Sequence, residues 1–255
     1  MDNLYYILYT NLAILLSLIT FIVIVTIHIV KKKKPKIINY IMLFICTIGM
    51  YLFIPSRFLY LGYVFQSPEL LKKAVKYSIN PYEKRLSYLY MADIYEYDIN
   101  HEGIKNGNFA IECLERALKG DYSKYRLETT KLAILYSIKG NYEKTIELNK
   151  ILNHKHSLSL RNIYIINNEY EKAIQTFEDS DVSTDNFLKA DLYRKIGNLK
   201  ESKVCEITAE KTYKFQLNQY NKKSEQLAYI EKNKKYRTVE AYKDWLKEQA
   251  QEYKF

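Results

Sequence analysis

Two histidines are the closest the sequence comes to a catalytic or metal-binding constellation. His154 and His156 are two residues apart, so their imidazoles could share a metal ion if the backbone between them were extended. The intervening Lys155 and the lack of a nearby cysteine or carboxylate cluster argue against such a site. No phosphate-binding loop, G-x-S-x-G or H-E-x-x-H motif occurs. We therefore predict no catalytic residue, no metal and no cofactor, and a chain that is not an enzyme.

The cysteines form no C-x-x-C redox or zinc motif, because no two of them lie close in the sequence. They are Cys46, Cys113 and Cys205. We interpret them as small apolar side chains that are buried in the fold. Whether Cys113 and Cys205 have a redox role stays open at this point.

The composition favours helices joined by short connections. Only 7 of the 255 residues are glycine and only 4 are proline, whereas these two types together make up roughly 12 per cent of an average protein. Nucleotide-binding α/β folds need glycine turns near the phosphates, and β-sandwiches and barrels need many turns rich in both residues. Both classes are excluded, and the sequence predicts an all-α protein.

Two uncharged runs predict a transmembrane hairpin near the N-terminus. They cover residues 4–30 and 37–56, and each is long enough for a helix that crosses the ~30 Å apolar core of a bilayer. Aromatic residues at the outer ends match an interfacial belt, so we place the spans at about 4–30 and 37–60. No charged residue lies in the middle of either span, which indicates an anchor domain, 1–63, rather than a transporter or channel.

The loop between the two spans, residues 31–36, sets the predicted orientation. Five of its six residues are lysines, namely Lys31, Lys32, Lys33, Lys34 and Lys36. Short basic loops stay on the cytoplasmic side, so both termini and the domain after residue 63 are predicted to be extracytoplasmic, at a bacterial inner or plasma membrane. In the alternative, the lysines contact lipid headgroups without fixing the topology.

After the hairpin, three segments share one pattern: a tyrosine, a short polar turn and a second amphipathic helix. The tyrosines are Tyr136, Tyr164 and Tyr193, and the turn residues are Gly140, Asn168 and Gly197. Both series have spacings of 28 and 29 residues. A period that is shared by two independent series predicts stacked helix pairs. We expect each turn residue to adopt the left-handed conformation that ends the first helix of its pair.

The pattern resembles the tetratricopeptide repeat, in which small residues and a tyrosine pack the two helices of each pair. The matching residues are Ala133, Tyr136, Gly140, Tyr142 and Thr145, then Tyr164, Asn168, Tyr170, Ala173 and Phe177, then Ala190, Tyr193, Gly197, Ser202 and Ala209, with an earlier copy at Ala92, Tyr95, Ala110 and Ala117. The period departs from the family's usual length of about 34 residues. Arg161 stands where the family prefers a small residue, and the proline after the second helix is missing.

The resemblance implies an α-solenoid over residues 67–215, followed by a C-terminal helical cap or tail over 216–255. Residues 203–233, which overlap the end of the predicted solenoid and the start of the predicted cap or tail, can form one long helix. A final helix is predicted over 238–253, starting at Thr238 and carrying Trp245, and we interpret it as a cap.

The resemblance also implies a binding groove, since family members bind ligands between the packing positions of their first helices. The corresponding residues are Tyr90, Asp93, Tyr97, Lys131, Ile134, Asn162, Asp191 and Arg194. They mix charge signs and aromatic rings and include no clamp of lysines and asparagines for a carboxylate. The class of ligand therefore stays open.

These features predict a membrane-anchored scaffold that binds another envelope protein and assists assembly or complex formation. The layout is also similar to the membrane repeat factor of cytochrome c maturation, which presents apocytochrome for haem attachment. Two further alternatives are an unrecognised envelope enzyme and a nucleic-acid-binding protein that stacks bases on the tyrosine among the lysines of 232–237. The net charge of +10 is not gathered into one basic stripe, so we expect no nucleic acid, and no small-molecule substrate.

The predicted orientation can be tested with a reporter fused after Phe255. A reporter that is active only outside the cytoplasm should be active in this fusion, and a cytoplasm-dependent reporter should be inactive, because the lysine loop holds both termini on the far side. Enzyme activity of paired fusions in intact cells is the measurement. Activity of the cytoplasmic reporter alone would reverse the assignment.

Overall fold

The structure is a computed structural model that describes residues 54–97, 105–177, 183–220 and 222–255, together with six helical residues between 19 and 26. Across these ranges all regular structure is helical, which confirms the all-α prediction. Most of the predicted spans, 4–30 and 37–60, and the whole lysine loop lie outside the described residues. Within the part that is described, no helix combines the length and the apolar character needed to cross a membrane.

The described elements follow one another with short connections. Residues 54–64 are helical, and the helices after them are α1 (Pro68–Tyr77), α2 (Pro81–Tyr97), α3 (Gly107–Leu118), α4 (Arg126–Lys139), α5 (Tyr142–Leu152), α6 (Leu158–Ile166), α7 (Tyr170–Ile174), α8 (Ser183–Lys195), α9 (Leu199–Leu217), α10 (Lys223–Asn233), the 3₁₀ turn Lys234–Tyr236 and α11 (Val239–Glu252). The chain divides into two compact units, 1–104 with 112–117, and 105–111 with 118–255, so that α3 contributes residues to both.

In the first unit, a buried carboxylate joins successive helical segments. Glu83 on α2 accepts hydrogen bonds from the hydroxyls of Ser56 and Ser78, the second at 2.6 Å. All three side chains are buried, so these bonds offset the cost of removing the carboxylate from water. Helix α1 packs against α2 and begins with Ser67 as its N-cap and Pro68 in its first turn.

In the second unit, helices that follow one another in the chain pack against each other. Helix α4 contacts α5 and α6, α6 contacts α7, α7 contacts α8, and α8 contacts α9. The small residues that were predicted to allow close approach are buried, among them Ala133, Thr145, Ala173, Ala190, Ser202 and Ala209. Of the three pattern tyrosines, Tyr136 is buried, whereas Tyr164 and Tyr193 are partly exposed and fill their sites less completely.

The three predicted turn residues adopt the left-handed conformation, as expected. Their φ angles are 80° at Gly140, 60° at Asn168 and 79° at Gly197. In each turn, the next backbone N–H donates to the carbonyl of the pattern tyrosine, at 2.9, 2.8 and 2.9 Å in chain order. This bond is characteristic of a Schellman motif, which satisfies carbonyls that a helix end would otherwise leave unpaired.

Arg161, which departs from the family pattern, makes specific contacts of its own. Its guanidinium lies 3.6 Å from the centroid of the Phe177 ring and donates to the Asp185 carboxylate at 2.9 Å. The long side chain therefore occupies a site on α6 with a cation–π contact and an ion pair, where a small residue would allow closer helix packing.

The predicted single helix over 203–233 is wrong, because the chain breaks between α9 and α10. The tyrosine on α10, Tyr229, packs its ring against Tyr213 and Tyr220, with centroids 5.4 and 5.3 Å away, and its hydroxyl donates to Gln216. This aromatic cluster folds α10 back onto the end of α9. A continuous helix could not bring these rings together.

The turn at Gly140 gives a test of backbone strain alone, because a β-carbon added there would meet no atom within 4 Å. We expect Gly140→Ala to lower the free energy of unfolding by about 1 kcal/mol, since alanine resists positive φ. Gly140→Asn, which copies the residue of the next turn, should lose less because asparagine tolerates this conformation. Urea unfolding of the full-length protein, followed by circular dichroism, measures both. Equal losses for alanine and asparagine would contradict the explanation that the loss comes from backbone strain at positive φ.

Candidate functional site

The C-terminal helix lies across three helices, which are the first helices of the pairs that the resemblance predicts. Helix α11 packs against α4, α6 and α8. Val239, Tyr242 and Leu246 form its buried stripe, at the spacing of one helix face. The final helix was predicted as a cap, which would cover the end of the array. In the structure it contacts α4, α6 and α8, the helices on which the resemblance places a binding groove.

Asn162, one of the predicted groove residues, lies buried on α6 beneath α11. Its Oδ1 accepts a hydrogen bond from the Tyr242 hydroxyl at 2.7 Å, and its Nδ2 donates to the Ser137 hydroxyl on α4 at 3.0 Å. A buried amide or hydroxyl without a partner costs roughly 1–3 kcal/mol. The Tyr242–Asn162 bond therefore fixes the position of α11 along the face.

Asp191, a second predicted groove residue, accepts a hydrogen bond from the first residue of α11. One carboxylate oxygen accepts from the Val239 N–H at 2.8 Å, and the other accepts from Arg194 at 2.8 Å. Thr238 caps the same helix by accepting from the Ala241 N–H at 3.1 Å. Two N–H groups that a helix start leaves unpaired are thus satisfied, and the negative charge lies at the positive end of the helix dipole.

The rim of α11 carries contacts that are more exposed. Lys195 pairs with Glu240 at 2.9 Å, and Lys243 donates to Asn168 at 2.6 Å. The hydrogen bond with Glu240 raises the pKa of Lys195, and the same bond lowers the pKa of Glu240. Exposed ion pairs of this kind contribute little to stability. These contacts therefore affect the orientation of α11 more than the stability of its packing.

The end of the chain is held at a separate place. The Gly107 N–H donates to the Tyr253 carbonyl at 2.7 Å, and Lys105 pairs with Glu252 at 2.5 Å. A β-carbon at Gly107 would lie 2.3 Å from the ring of Phe255, the last residue, so the absence of a side chain there makes room for that ring. The Phe255 ring also lies 6.0 Å from Nζ of Lys139, the last residue of α4, and none of these contacts involves Asn162 or Asp191.

The remaining predicted groove residues do not join this cluster. Lys131 and Ile134 are partly exposed on α4. The other three, Tyr90, Asp93 and Tyr97, lie on α2 in the first unit. Burial, aided by neighbouring tyrosines and Asp93, raises the pKa of Tyr90 to about 12. Its ring packs 4.7 Å from that of Tyr63, which indicates a packing role in that unit.

Sequence reasoning missed the partners on α11. Nothing in the local pattern connects Asn162 with Tyr242, which is 80 residues away, or Asp191 with Val239, which is 48 residues away. The one available indication was the apolar stripe of the final helix, which needed some surface to cover it.

A pocket lies in the second unit, and both histidines of the pair His154 and His156 line it. It is a cavity of about 550 Å³ between α5, α6 and α7, and its basic lining residues are Lys150, His154, Lys155, His156 and Lys172. The His154 ring contacts Arg126 at 3.0 Å, and Lys172 pairs with Glu169 at 2.5 Å. Among the described residues, no group of three histidine, cysteine or carboxylate side chains is placed to hold a metal.

The two cysteines that the structure describes are buried and free. Burial raises the pKa of the Cys113 thiol to about 12, and burial also raises the pKa of Cys205. Because the thiolate is the reactive form, both behave as apolar residues, in agreement with the prediction. Cys46 lies outside the described residues.

No protein-family model, no curated protein and no solved structure matches the chain. The function is therefore inferred from the chain's own residues.

The bond between Tyr242 and Asn162 can be tested with Tyr242→Phe. We expect a loss of about 1–3 kcal/mol in the free energy of unfolding, because a buried amide oxygen loses its donor. Tyr170→Phe is the matched control, since its hydroxyl donates to Asn168 at an exposed position, and it should change stability by less than about 0.5 kcal/mol. Fluorescence of Trp245, the single tryptophan, follows urea unfolding directly from α11. Similar losses in the two variants would contradict the role given to Asn162.

Proposed function

We propose that the chain is a membrane-anchored scaffold that binds another protein of the cell envelope through the face formed by α4, α6 and α8. One observation carries the proposal. Asn162 and Asp191, which the family resemblance assigns to a ligand groove, make buried hydrogen bonds to a helix that packs across that face. The face therefore has the shape and the polar groups needed to bind a helix.

The interpretation of the array as a tetratricopeptide-like solenoid is part of this proposal. It is supported by consecutive packing of helix pairs and by three identical turns with a spacing of 28 and 29 residues. Stacked pairs of this kind present their first helices together as an extended concave surface, which is how such repeats bind their partners.

The anchor and the location rest on the sequence. Two uncharged runs enclose five lysines, and this arrangement supports a hairpin with its loop in the cytoplasm and the scaffold outside. In this position the scaffold binds a neighbouring envelope protein and assists its assembly or its incorporation into a complex.

The test is site-specific photo-crosslinking in living cells with the full-length chain. A photoreactive amino acid at Ile134, on α4 at the predicted groove, should give one reproducible adduct with an envelope protein. The matched control is Ile151 on α5, an exposed isoleucine that the resemblance does not assign to the groove. Mass spectrometry identifies the adducts. The same adducts from both positions, or none from Ile134, would overturn the proposal.

A further inference from the structure

We infer that the face of α4, α6 and α8 is a receptor for an amphipathic helix, that α11 occupies it in the free protein, and that the partner supplies a helix of the same type in its place. This inference rests on the proposed function and adds the class of partner. The inference follows from the contacts between α11 and this face, from the contacts at the two ends of α11, and from the way in which the chain before α11 is held on α8 and α9.

The seated helix has the pattern of a ligand helix. Val239, Tyr242 and Leu246 lie at positions i, i+3 and i+7, the spacing with which amphipathic helices place anchors in a groove. Each of these side chains is at most 2% exposed, so the face encloses them as fully as a protein core. The rest of the helix is predominantly charged and polar.

The two buried polar contacts define the partner more closely. Asp191 accepts a hydrogen bond from the backbone N–H at a helix start, which any helix with a free first turn can supply. Asn162 accepts from a hydroxyl three residues further on. A matching partner helix therefore begins after a Ser, Thr, Asp or Asn cap. It then carries an apolar first residue, a tyrosine three residues later and an aliphatic residue four residues beyond that.

The connection before α11 contacts α11 through Lys235, whose Nζ lies 4.1 Å from the centroid of the Trp245 ring, and it also has anchors on other helices. The Arg237 guanidinium lies 4.0 Å from the centroid of the Phe187 ring and 4.4 Å from that of Tyr213. Helix α10 is held to α9 by the tyrosine cluster at Tyr229. Release of α11 would break the contact of Lys235 with Trp245, whereas the contacts of Arg237 and Tyr229 would still hold α8, α9 and α10 together.

The end of the chain gives a way to loosen α11 without changing the face. Gly107→Ala places a methyl group where the Phe255 ring lies, and the atoms it would displace are the outer atoms of that flexible ring. The backbone of Gly107 is not in the left-handed region that alanine avoids. The substitution removes a contact at the C-terminal end of α11 and leaves Asn162 and Asp191 unchanged.

The binding experiment uses the full chain in detergent and a fluorescent peptide of residues 237–255. In the wild type the tethered α11 competes at a high effective concentration, so the peptide should bind weakly. Gly107→Ala raises the population of the open face, and we expect the apparent affinity for the peptide to rise about tenfold. A peptide with Tyr242→Phe should bind several-fold more weakly to the same variant. Peptide binding that does not respond to Gly107→Ala would overturn the inference.

Hydrogen exchange of the unmodified full chain gives a second measurement that needs no variant. If α11 leaves the face as a unit, its amides should exchange at least about tenfold faster than those of α4 and α6. Equal protection in the three helices would make α11 a permanent part of the core and overturn the inference. Both measurements need only this chain. If a partner is crosslinked but these two measurements contradict the inference, the proposed scaffold function is retained and a helix of this type is excluded as its ligand.

Discussion

The packing of α11 on the first-helix face is the interaction on which the second unit depends. Asn162 and Asp191 place an amide and a carboxylate where little water reaches. One oxygen of each side chain, Oδ1 of Asn162 and Oδ2 of Asp191, is paired from outside α4, α6 and α8. The Tyr242 hydroxyl and the Val239 N–H supply those partners. Without a helix on this face, the same residues would have to be hydrated or would remain unpaired.

The turns determine that such a face exists. Helices α4, α6 and α8 are each followed by a residue in the left-handed conformation and by the same type of hydrogen bond to a tyrosine carbonyl. The chain turns in a similar way after each of these helices, and α11 contacts all three. The buried alanines, threonine and serine allow the second helices to approach closely, which leaves the first helices free to present their opposite side.

Features that depend on neighbouring residues could be predicted from the sequence, and features that depend on distant ones could not. The left-handed turns at Gly140, Asn168 and Gly197 and the cap at Thr238 follow from a few adjacent residues. The break after α9 depends on the contact of Tyr229 with Tyr213 and Tyr220, and periodicity in one segment carries no information about it. The resemblance assigned Asn162 and Asp191 to a ligand groove, and it could not indicate that both residues hydrogen-bond to a helix of the same chain.

The polar groups of the face also explain how it would discriminate among helices. Burial of apolar surface favours the binding of almost any amphipathic helix, because the hydrophobic effect is not directional. A helix that lacks a hydroxyl opposite Asn162, or that cannot begin at Asp191, leaves a buried acceptor unpaired and loses roughly 1–3 kcal/mol at each position. Two such positions 29 residues apart in the chain fix both the start and the register of the bound helix. In the receptor that we propose, specificity would therefore reside in the two side chains that would be most costly to bury alone, and the chain's own C-terminal helix satisfies both.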